Sequence, residues 1–399
     1  MQLVERHMIK KGDSRFTEID HAAFAAKNLY NAANYQIRQT FIRQGLYLNY
    51  VEMNAQMKTT EQYQALPRKV SQQVLRLLDK NWQSFFALLR LWKEDPEKLQ
   101  GRPSIPSYLD KQTGRYVLIY TIQAVSRIGL RRGVIQPSGL NIEIQTKQTR
   151  IVQLRIVPKH GHYLAEVVYE RDIEPAAVDP NLVAAIDIGL NNLAAITSDK
   201  AGFVPVLING RPLKRLNQWY NKQIAHLQQK LGRNGRTNLM HRITHRRNLQ
   251  IDHYLHTHSR RVIRLLVSHG IGTLVIGKNP EWKQGIRLGR RNNQNFVQVP
   301  HARFIQMMIY KAELVGIQVI LVEESHTSKC SFLDNEPVGH HDRYLGRRTH
   351  RGLFLTSDGR RINADVNGSY NILRKAIPNA FGNGTGGVVV HPVGKAPTN

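Results

Sequence analysis

Acidic residues from distant parts of the chain have the type and placement needed for metal-dependent chemistry. Asp187 ends the apolar stretch VAAID, and Glu323 and Glu324 follow the apolar stretch VILV. Asp365 stands in INAD, directly before the helical pattern VNGSYNILRKA. Alone, each aspartate is typical of a turn or of a helix N-cap. An uncompensated buried carboxylate is costly, however, so two of them at the end of a buried strand indicate a nearby cation.

Hydrolysis of a phosphodiester is the chemistry that such a set of acids could support. It needs an attacking water that loses its proton near neutral pH and a leaving 3′ oxygen whose charge is stabilised. Two Mg²⁺ (or Mn²⁺) ions about 3.5–4 Å apart do both when carboxylate oxygens hold them. Neighbouring residues of a strand point in opposite directions, so only one of Glu323 and Glu324 should reach the metals.

The charge of the chain indicates a polyanionic partner. Its 399 residues, enough for two or three domains, include 57 Lys plus Arg against 29 Asp plus Glu, a net charge of +28. Nucleic acid fits this excess. An anionic membrane fits less well, because no basic amphipathic anchor and no apolar run near ~18 residues is present. MQLVERHMIKKGD lacks a secretory signal's apolar segment, and Cys330 is the single cysteine. We therefore expect a cytoplasmic, nucleoid-associated protein of bacterial type without internal disulfides.

Basic residues concentrate in a helical segment between two apolar strands. Residues 201–280 contain fourteen Lys plus Arg and a single acid, Asp252, and their apolar spacing predicts two antiparallel helices with arginines outward. A second basic helix is predicted from Pro67 to Trp92, followed by short antiparallel strands over residues 116–170. A solvated face is the simpler interpretation of such charge, but the imbalance favours phosphate contact. The residues predicted to bind nucleic acid are Lys69, Arg76, Arg242, Arg246, Arg247, Arg260, Arg261, Arg347, Arg348 and Arg351.

Several of these motifs together resemble a known family. VAAIDIGLNNLAAITS resembles the first motif of the RuvC-like nuclease domain in the transposon-encoded TnpB (OrfB) proteins. HTSKCS and INADVNGSYNILRKA resemble its last section, and LPRKVSQQVLRLLDKNW with GRPSIPSY is similar to the family's amino-terminal part. The motifs are specific in combination, and the resemblance covers residues 1 to about 376.

The resemblance implies a fold of α/β plus α+β type. It comprises an RNase H-like (RuvC) nuclease domain with a helical insertion, preceded by a β-barrel wedge domain that a helical recognition domain interrupts. The corresponding ranges are 1–20 and 112–180 for the wedge domain, 21–111 for the recognition domain and 181–378 for the nuclease domain. Within the last, the basic insertion spans about 208–268 and a degenerate zinc-ribbon-like segment about 326–362. Residues 379–399, which are rich in Gly, are expected to be a disordered tail.

The resemblance also implies RNA-guided cleavage of double-stranded DNA beside a short transposon-adjacent motif. The implied partners are a guide RNA of the omega (right-end element) type and the target DNA, with no membrane and with a monomer favoured. The alternative is an RNA-guided DNA-binding protein that does not cut. A transposase acting directly is disfavoured, because no convincing His-x-His motif with a separate Tyr nucleophile is present.

The sequence departs from the family at the second catalytic acid. Most relatives carry it at the end of the strand GTLVIG, where this chain has Gly277. Some relatives have a relocated glutamate, and Glu324, three residues before Thr327, matches that pattern. We therefore predict Asp187, Glu324 and Asp365 as catalytic and magnesium-binding residues, with Glu323 in reserve and Glu281 as a third option.

A second departure concerns zinc. Typical relatives hold zinc with four cysteines after the TSK-like sequence, whereas this chain has Cys330 alone. The nearby histidines match no standard ligand spacing: His326, His340, His341 and His350. We therefore predict no zinc site, and a hairpin over RGLFLTSDGRRIN with a Ser-Asp-Gly turn.

Overall fold

The computed structural model describes residues 1–232, 235–279, 298–350, 352–381 and 388–395. The chain forms two compact units, Met1–Arg171 and Asp172–Asn399. In the part of the chain that is described, no helix combines the length and apolar character needed to cross a membrane.

The helices of the first unit bury a core rich in aromatic side chains. The helix predicted between Pro67 and Trp92 is confirmed, with Pro67 as its N-cap residue. Its Trp82 is fully buried and donates a hydrogen bond from Nε1 to Oδ1 of Asn34 at 3.0 Å. The helices that form this core are α1 (Phe16–Gln44), α2 (Tyr50–Met57), α3 (Glu61–Gln64) and α4 (Arg68–Glu94).

A four-stranded antiparallel sheet completes this unit, in agreement with the alternating patterns of the sequence. Its strands are β1 (Gln2–Lys10), β2 (Leu118–Thr121), β5 (Ile151–Lys159) and β6 (His162–Glu170), in the order β1-β6-β5-β2. Between β2 and β5 lie α5 (Arg127–Arg131) and a small ribbon of β3 (Val134–Ile135) and β4 (Ile144–Gln145).

The second unit is built on a six-stranded mixed sheet. Its strands are β7 (Asp179–Asp187), β8 (Asn192–Ser198), β9 (Val206–Asn209), β10 (Ile271–Gly277), β11 (Gln318–Val322) and β15 (Val393–Lys395). They lie in the order β11-β10-β7-β8-β9-β15. β7 and β8 form the predicted antiparallel hairpin, whereas β10 is parallel to both β7 and β11.

Helices cover both faces of this sheet. The predicted basic insertion is confirmed as two helices, and the predicted hairpin as part of a three-stranded antiparallel sheet that precedes the last helix. The helices are α6 (Arg211–Leu231), α7 (Asn238–Ser268), α8 (His301–Glu313) and α9 (Ala364–Ala376). The small sheet comprises β12 (Arg347–His350), β13 (Leu353–Leu355) and β14 (Arg361–Asn363).

Strand alternation decides which residues face α9. In β7, Ala184 and Ile186 join the core formed with α7 and α8, whereas Val183 and Ala185 pack with Ile372 and Leu373 of α9. Because side chains alternate along a strand, Asp187 continues the α9 face.

Part of the tail departs from its predicted disorder. Val393–Lys395 forms β15, which pairs in parallel with β9, and the Tyr370 hydroxyl donates a hydrogen bond to the Val389 carbonyl at 3.0 Å. The physical reason is the free backbone edge of β9, which offers hydrogen-bonding groups to an added strand. The prediction of a wholly disordered tail is therefore wrong for residues 388–395.

Candidate active site

Two strand ends and one helix start form the site. Asp187 is the last residue of β7, and Glu324 lies two residues beyond the end of β11. Asp365 is in the first turn of α9, whose N-cap is Asn363: the Asn363 side chain accepts hydrogen bonds from the backbone N–H groups of Asp365 and Val366. The prediction that Asp365 begins a helix is thus confirmed, with the capping role taken by its neighbour.

Asp187 fits against α9 because the helix has a glycine there. A Cβ atom on Gly368 would stand 2.8 Å from Oδ2 of Asp187, so any larger residue would collide with the carboxylate. Burial, followed by the negative charges of Glu324 and Asp365, raises the pKa of Asp187 well above its ordinary value, while Arg348 acts in the opposite direction. Because the charges of Glu324 and Asp365 both act on Asp187, the three predicted acids lie near one another.

Glu324 occupies the space that a side chain at Gly277 would fill. Gly277 is paired with Val322 across the parallel β10–β11 ladder, and a Cβ atom on it would lie 2.8 Å from Oε2 of Glu324. That oxygen is buried and has no hydrogen-bond partner among the described residues. Burial raises the pKa of Glu324 to about 7. The Glu324 carboxylate, which follows β11, therefore lies beside the end of β10.

An asparagine fixes the glutamate. Asn279 donates from Nδ2 to Oε1 of Glu324 at 3.2 Å and accepts from the Glu324 backbone N–H at 3.0 Å. Glu323 is exposed, in contrast to the half-buried Glu324. The reserve residue is therefore the more solvent-exposed of the two glutamates. Glu281, the third option, lies outside the described residues.

Asp365 is held by two side chains. Asn192 Nδ2 donates to its Oδ2 at 2.7 Å, and the Arg348 guanidinium donates to its Oδ1 at 3.2 Å. Arg348 belongs to β12, so this ion pair connects the small three-stranded sheet to Asp365. Arg348, predicted to contact phosphate, is therefore also a partner of a candidate metal ligand.

The donors present fit a hard divalent cation. Carboxylate oxygens are what Mg²⁺ prefers, and the orphaned Oε2 of Glu324 together with the raised pKa of Asp187 marks uncompensated negative charge. In the described parts of the chain, however, no three His, Cys, Asp or Glu side chains are close enough to hold one ion together. Asp365 instead forms an ion pair with Arg348.

The zinc-ribbon-like segment is held by hydrogen bonds and packing. Cys330 is buried, and its thiol donates to the Gly339 carbonyl at 3.5 Å. Nδ1 of His326 lies 3.0 Å from the Tyr344 hydroxyl, and Nε2 of His341 lies 2.8 Å from the Pro337 carbonyl oxygen.

The residues predicted to bind nucleic acid divide by exposure. Arg247 is a correction, because it is half-buried and donates from Nε and NH2 to Asn217 Oδ1 at 2.9 and 2.7 Å. Ile251, one helical turn further along α7, is buried, so Arg247 lies toward the packed side of that helix, and burial lowers its pKa. Arg261 is half-buried, Arg351 lies outside the described residues, and the others are exposed: Lys69, Arg76, Arg242, Arg246, Arg260, Arg347 and Arg348.

Three contributors to the site were not predicted from the sequence: Asn192, Asn279 and Gly368. Asn192 follows Asp187 by five residues in the turn IGLNN, and Gly368 follows Asp365 by three in VNGSY. Asparagine and glycine beside a candidate acid were the available signals, but turn chemistry explains the first equally well.

Comparison with known proteins agrees with this architecture. The OrfB_IS605 family, described as "Probable transposase", matches residues 166–283, and the family "Cas12f1-like, TNB domain" matches residues 301–372. TnpB-like protein ORF457 of Acidianus two-tailed virus is 25% identical over 414 residues, which cover 92% of this chain and 83% of that protein.

A solved structure has a similar fold. It is the cryo-EM structure of the Cas12f1-sgRNA-target DNA complex, with a TM-score of 0.52 and 12% sequence identity over 88% of this chain and 81% of that chain. The mixed helix and sheet content predicted from the sequence is therefore confirmed.

Proposed function

The chain belongs to the TnpB (OrfB) family, and from that premise we propose that it is an RNA-guided DNA endonuclease associated with a transposon. In this proposal it cuts DNA next to a short transposon-adjacent motif by metal-dependent phosphodiester hydrolysis. Asp187, Glu324 and Asp365 are the proposed catalytic acids.

One observation supports the proposal most. Oε2 of Glu324 lies 2.8 Å from the point where a side chain at Gly277 would begin, which is where most relatives carry their second acid. The glycine would otherwise argue for a defective site, since it offers no carboxylate. With Glu324 in that space, the chain has all three carboxylates that the proposed cleavage requires.

The roles of the chain's own residues follow from their contacts. When bound, divalent cations lower the pKa of the attacking water and stabilise the leaving 3′ oxygen. Asp187 and Glu324 would hold them as deprotonated ligands. Asn279 positions Glu324 through two hydrogen bonds, one donated to its carboxylate and one accepted from its backbone N–H. Asn192 donates a hydrogen bond that orients the Asp365 carboxylate. Such outer partners commonly affect metal affinity or activity by about 10–100-fold.

The proposed partners are a guide RNA and double-stranded target DNA. The exposed arginines of α7, with the net charge of +28, support contacts to phosphates, which bind without regard to sequence. Base pairing with the guide would then supply specificity. In the same proposal the first unit contains the wedge and recognition domains, the protein acts as a monomer, and no zinc is needed.

A non-cutting RNA-guided DNA-binding protein is the second candidate. The observation that favours it is the ion pair between Arg348 and Asp365, which sets a protein cation against one of the three acids. A protein that had lost cleavage at this site would still have the basic surfaces that bind nucleic acid.

Cleavage by matched glutamate variants tests the proposal. The protein is co-purified with RNA from its own transposon end and given a matched plasmid in Mg²⁺. We expect the wild type and Glu323→Gln to cut, and Glu324→Gln to bind the plasmid but lose cutting by about 10²–10³-fold or more, as for other preorganised charge-stabilising groups. Binding without cleavage by the wild type would favour the second candidate, and normal cutting by Glu324→Gln would refute the assigned residue.

A further inference from the structure

A groove between the two helices of the basic insertion has no role in the proposed cleavage site. Its volume is about 440 Å³, within the range of small-ligand pockets. Leu213 and Leu216 of α6 line one side of it. The side formed by α7 consists of Leu249, Gln250, His253 and Tyr254.

The groove is lined by aliphatic and aromatic side chains and a few polar groups. The Tyr254 hydroxyl donates a hydrogen bond to the Asn209 carbonyl, which fixes that ring in the wall. His253 and Gln250 are exposed at the rim, and Leu249 leaves 45% of its surface exposed. Aliphatic side chains together with a tyrosine ring, a histidine and an amide are side chains against which a nucleobase can stack and form hydrogen bonds.

The surface around the groove is strongly basic along one line. Arg242, Arg246, Arg260 and Arg264 are all exposed, and their four-residue steps within each pair keep them on one face of α7. Leu249 and His253 follow Arg246 by three and seven residues, so they lie on that same face. The groove therefore interrupts a stripe of arginines.

The interruption has a length that matters for a bound strand. Arg246 and Arg260 are separated by fourteen residues, or about 21 Å of helix. At about 3.4 Å per nucleotide of a stacked strand, that gap spans about six phosphates that these four arginines leave without a cation. Stacking of a base in the groove would anchor the strand at the middle of the gap.

We propose that the groove between α6 and α7 receives one unpaired base of a single-stranded nucleic acid whose phosphates lie on the arginines at either end. This deepens the proposed function, on which it rests for the class of partner, and it concerns binding and not cleavage. Charge selects the occupant: the helices that form the groove carry one acid, Asp252, so a polyanion is complementary where an ordinary protein segment is not.

Binding of bases can be separated from binding of phosphates with two probes of equal charge. The full chain is titrated in EDTA, so that no cutting occurs, with fluorescent hexauridylate and with an abasic ribose-phosphate hexamer. We expect hexauridylate to bind about tenfold more tightly, the size of one stacked base. A thymidylate hexamer and its abasic deoxyribose analogue repeat the comparison with DNA. Tighter binding of the thymidylate than of its abasic analogue supports the proposal with DNA as the source of the base.

Paired variants make the test specific. His253→Ala should reduce the preference for bases severalfold, whereas Arg246→Gln should weaken both probes equally and keep the preference. His226→Ala, an exposed histidine of α6 that does not line the groove, is the matched control and should change neither affinity. Equal affinity for the two probes, no binding of either, or an unchanged preference in His253→Ala would overturn the inference. Because no step requires cleavage, failure here is distinct from failure of the nuclease proposal.

Discussion

Oε2 of Glu324 lies 2.8 Å from the place where a Cβ atom of Gly277 would stand. The two residues are 47 positions apart in sequence, yet parallel pairing of β10 with β11 sets Gly277 against Val322 and brings Glu324 to the same edge. The Glu324 carboxylate, just beyond the end of β11, thus requires that the last residue of β10 has no side chain. Gly277 and Glu324 therefore depend on each other, because the missing side chain at Gly277 leaves the space that the Glu324 carboxylate occupies.

The first prediction concerns that room. In Gly277→Ala, the new methyl group would lie 2.8 Å from Glu324 Oε2 and 2.6 Å from Ile372 Cδ1, so at least one of them must move. We expect a loss of about 1–3 kcal/mol in the free energy of unfolding and a marked loss of DNA cutting. Urea unfolding and plasmid cleavage measure the two effects. Gly339→Ala, where nothing lies within 4 Å, is the control, and equal behaviour of both variants would contradict the close fit.

A second prediction follows from the raised pKa of Glu324. Burial raises this pKa from 4.5 to about 7, so between those values the metal-free folded chain keeps a proton that the unfolded chain has released. Its contribution to stability therefore falls as pH rises through this window. Glu324→Gln should equal the wild type near pH 4 and be more stable above pH 7 by roughly 1–3 kcal/mol.

Thermal and urea unfolding in EDTA at several pH values check this. The exposed Glu323→Gln should follow the wild-type profile throughout. A Glu324→Gln variant that is less stable than the wild type above pH 7 would mean that the carboxylate is compensated within the chain.

A third prediction concerns Arg348. It pairs with Oδ1 of Asp365 at 3.2 Å, and its positive charge opposes the rise in the pKa of Asp187. Arg348→Ala should bind Mn²⁺ about fivefold more tightly in the absence of nucleic acid, because an exposed ion pair of about 1 kcal/mol no longer competes. Calorimetric titration measures it, with Arg347→Ala on the same strand as the control. Weaker binding by Arg348→Ala would show that this arginine supports the metal site.

Sequence patterns were sufficient where the signal was local. The apolar run before Asp187 predicted β7, and the spacing of large apolar residues predicted α4, α6 and α7. The preference for Glu324 over Glu323 came from a family pattern, and the structure gives it a physical basis: Ile320 and Val322 pack on the α9 side, and Glu324 continues that alternation.

Contacts between distant segments could not be read from the sequence. Asn192 reaches Asp365 across 173 residues, and Gly368 makes room for Asp187 only because α9 crosses the end of β7. The order of β15 depends likewise on the free edge of a strand almost two hundred residues earlier. Arg247 and Arg246 are the same residue type, which usually lies on the surface. They differ only in the side of α7 on which they lie.

That difference gives a fourth prediction. Arg247 donates three hydrogen bonds to Asn217 and to the Gln298 carbonyl, whereas Arg246 is exposed. Arg247→Ala should lower the free energy of unfolding by about 1–3 kcal/mol, because buried acceptors lose their donor. Arg246→Ala should leave stability within about 0.5 kcal/mol and instead reduce the salt dependence of nucleic-acid binding. The opposite pattern would reverse the two assignments.

The central claim is that Glu324 and Asp187 hold a divalent cation together, and a crystal of the protein soaked in Mn²⁺ tests it most directly. The account predicts an anomalous Mn²⁺ peak about 2.0–2.3 Å from Oε2 of Glu324 and from the Asp187 carboxylate. A peak bound by Glu323, or one bound by the aspartates with Glu324 turned away, would contradict it.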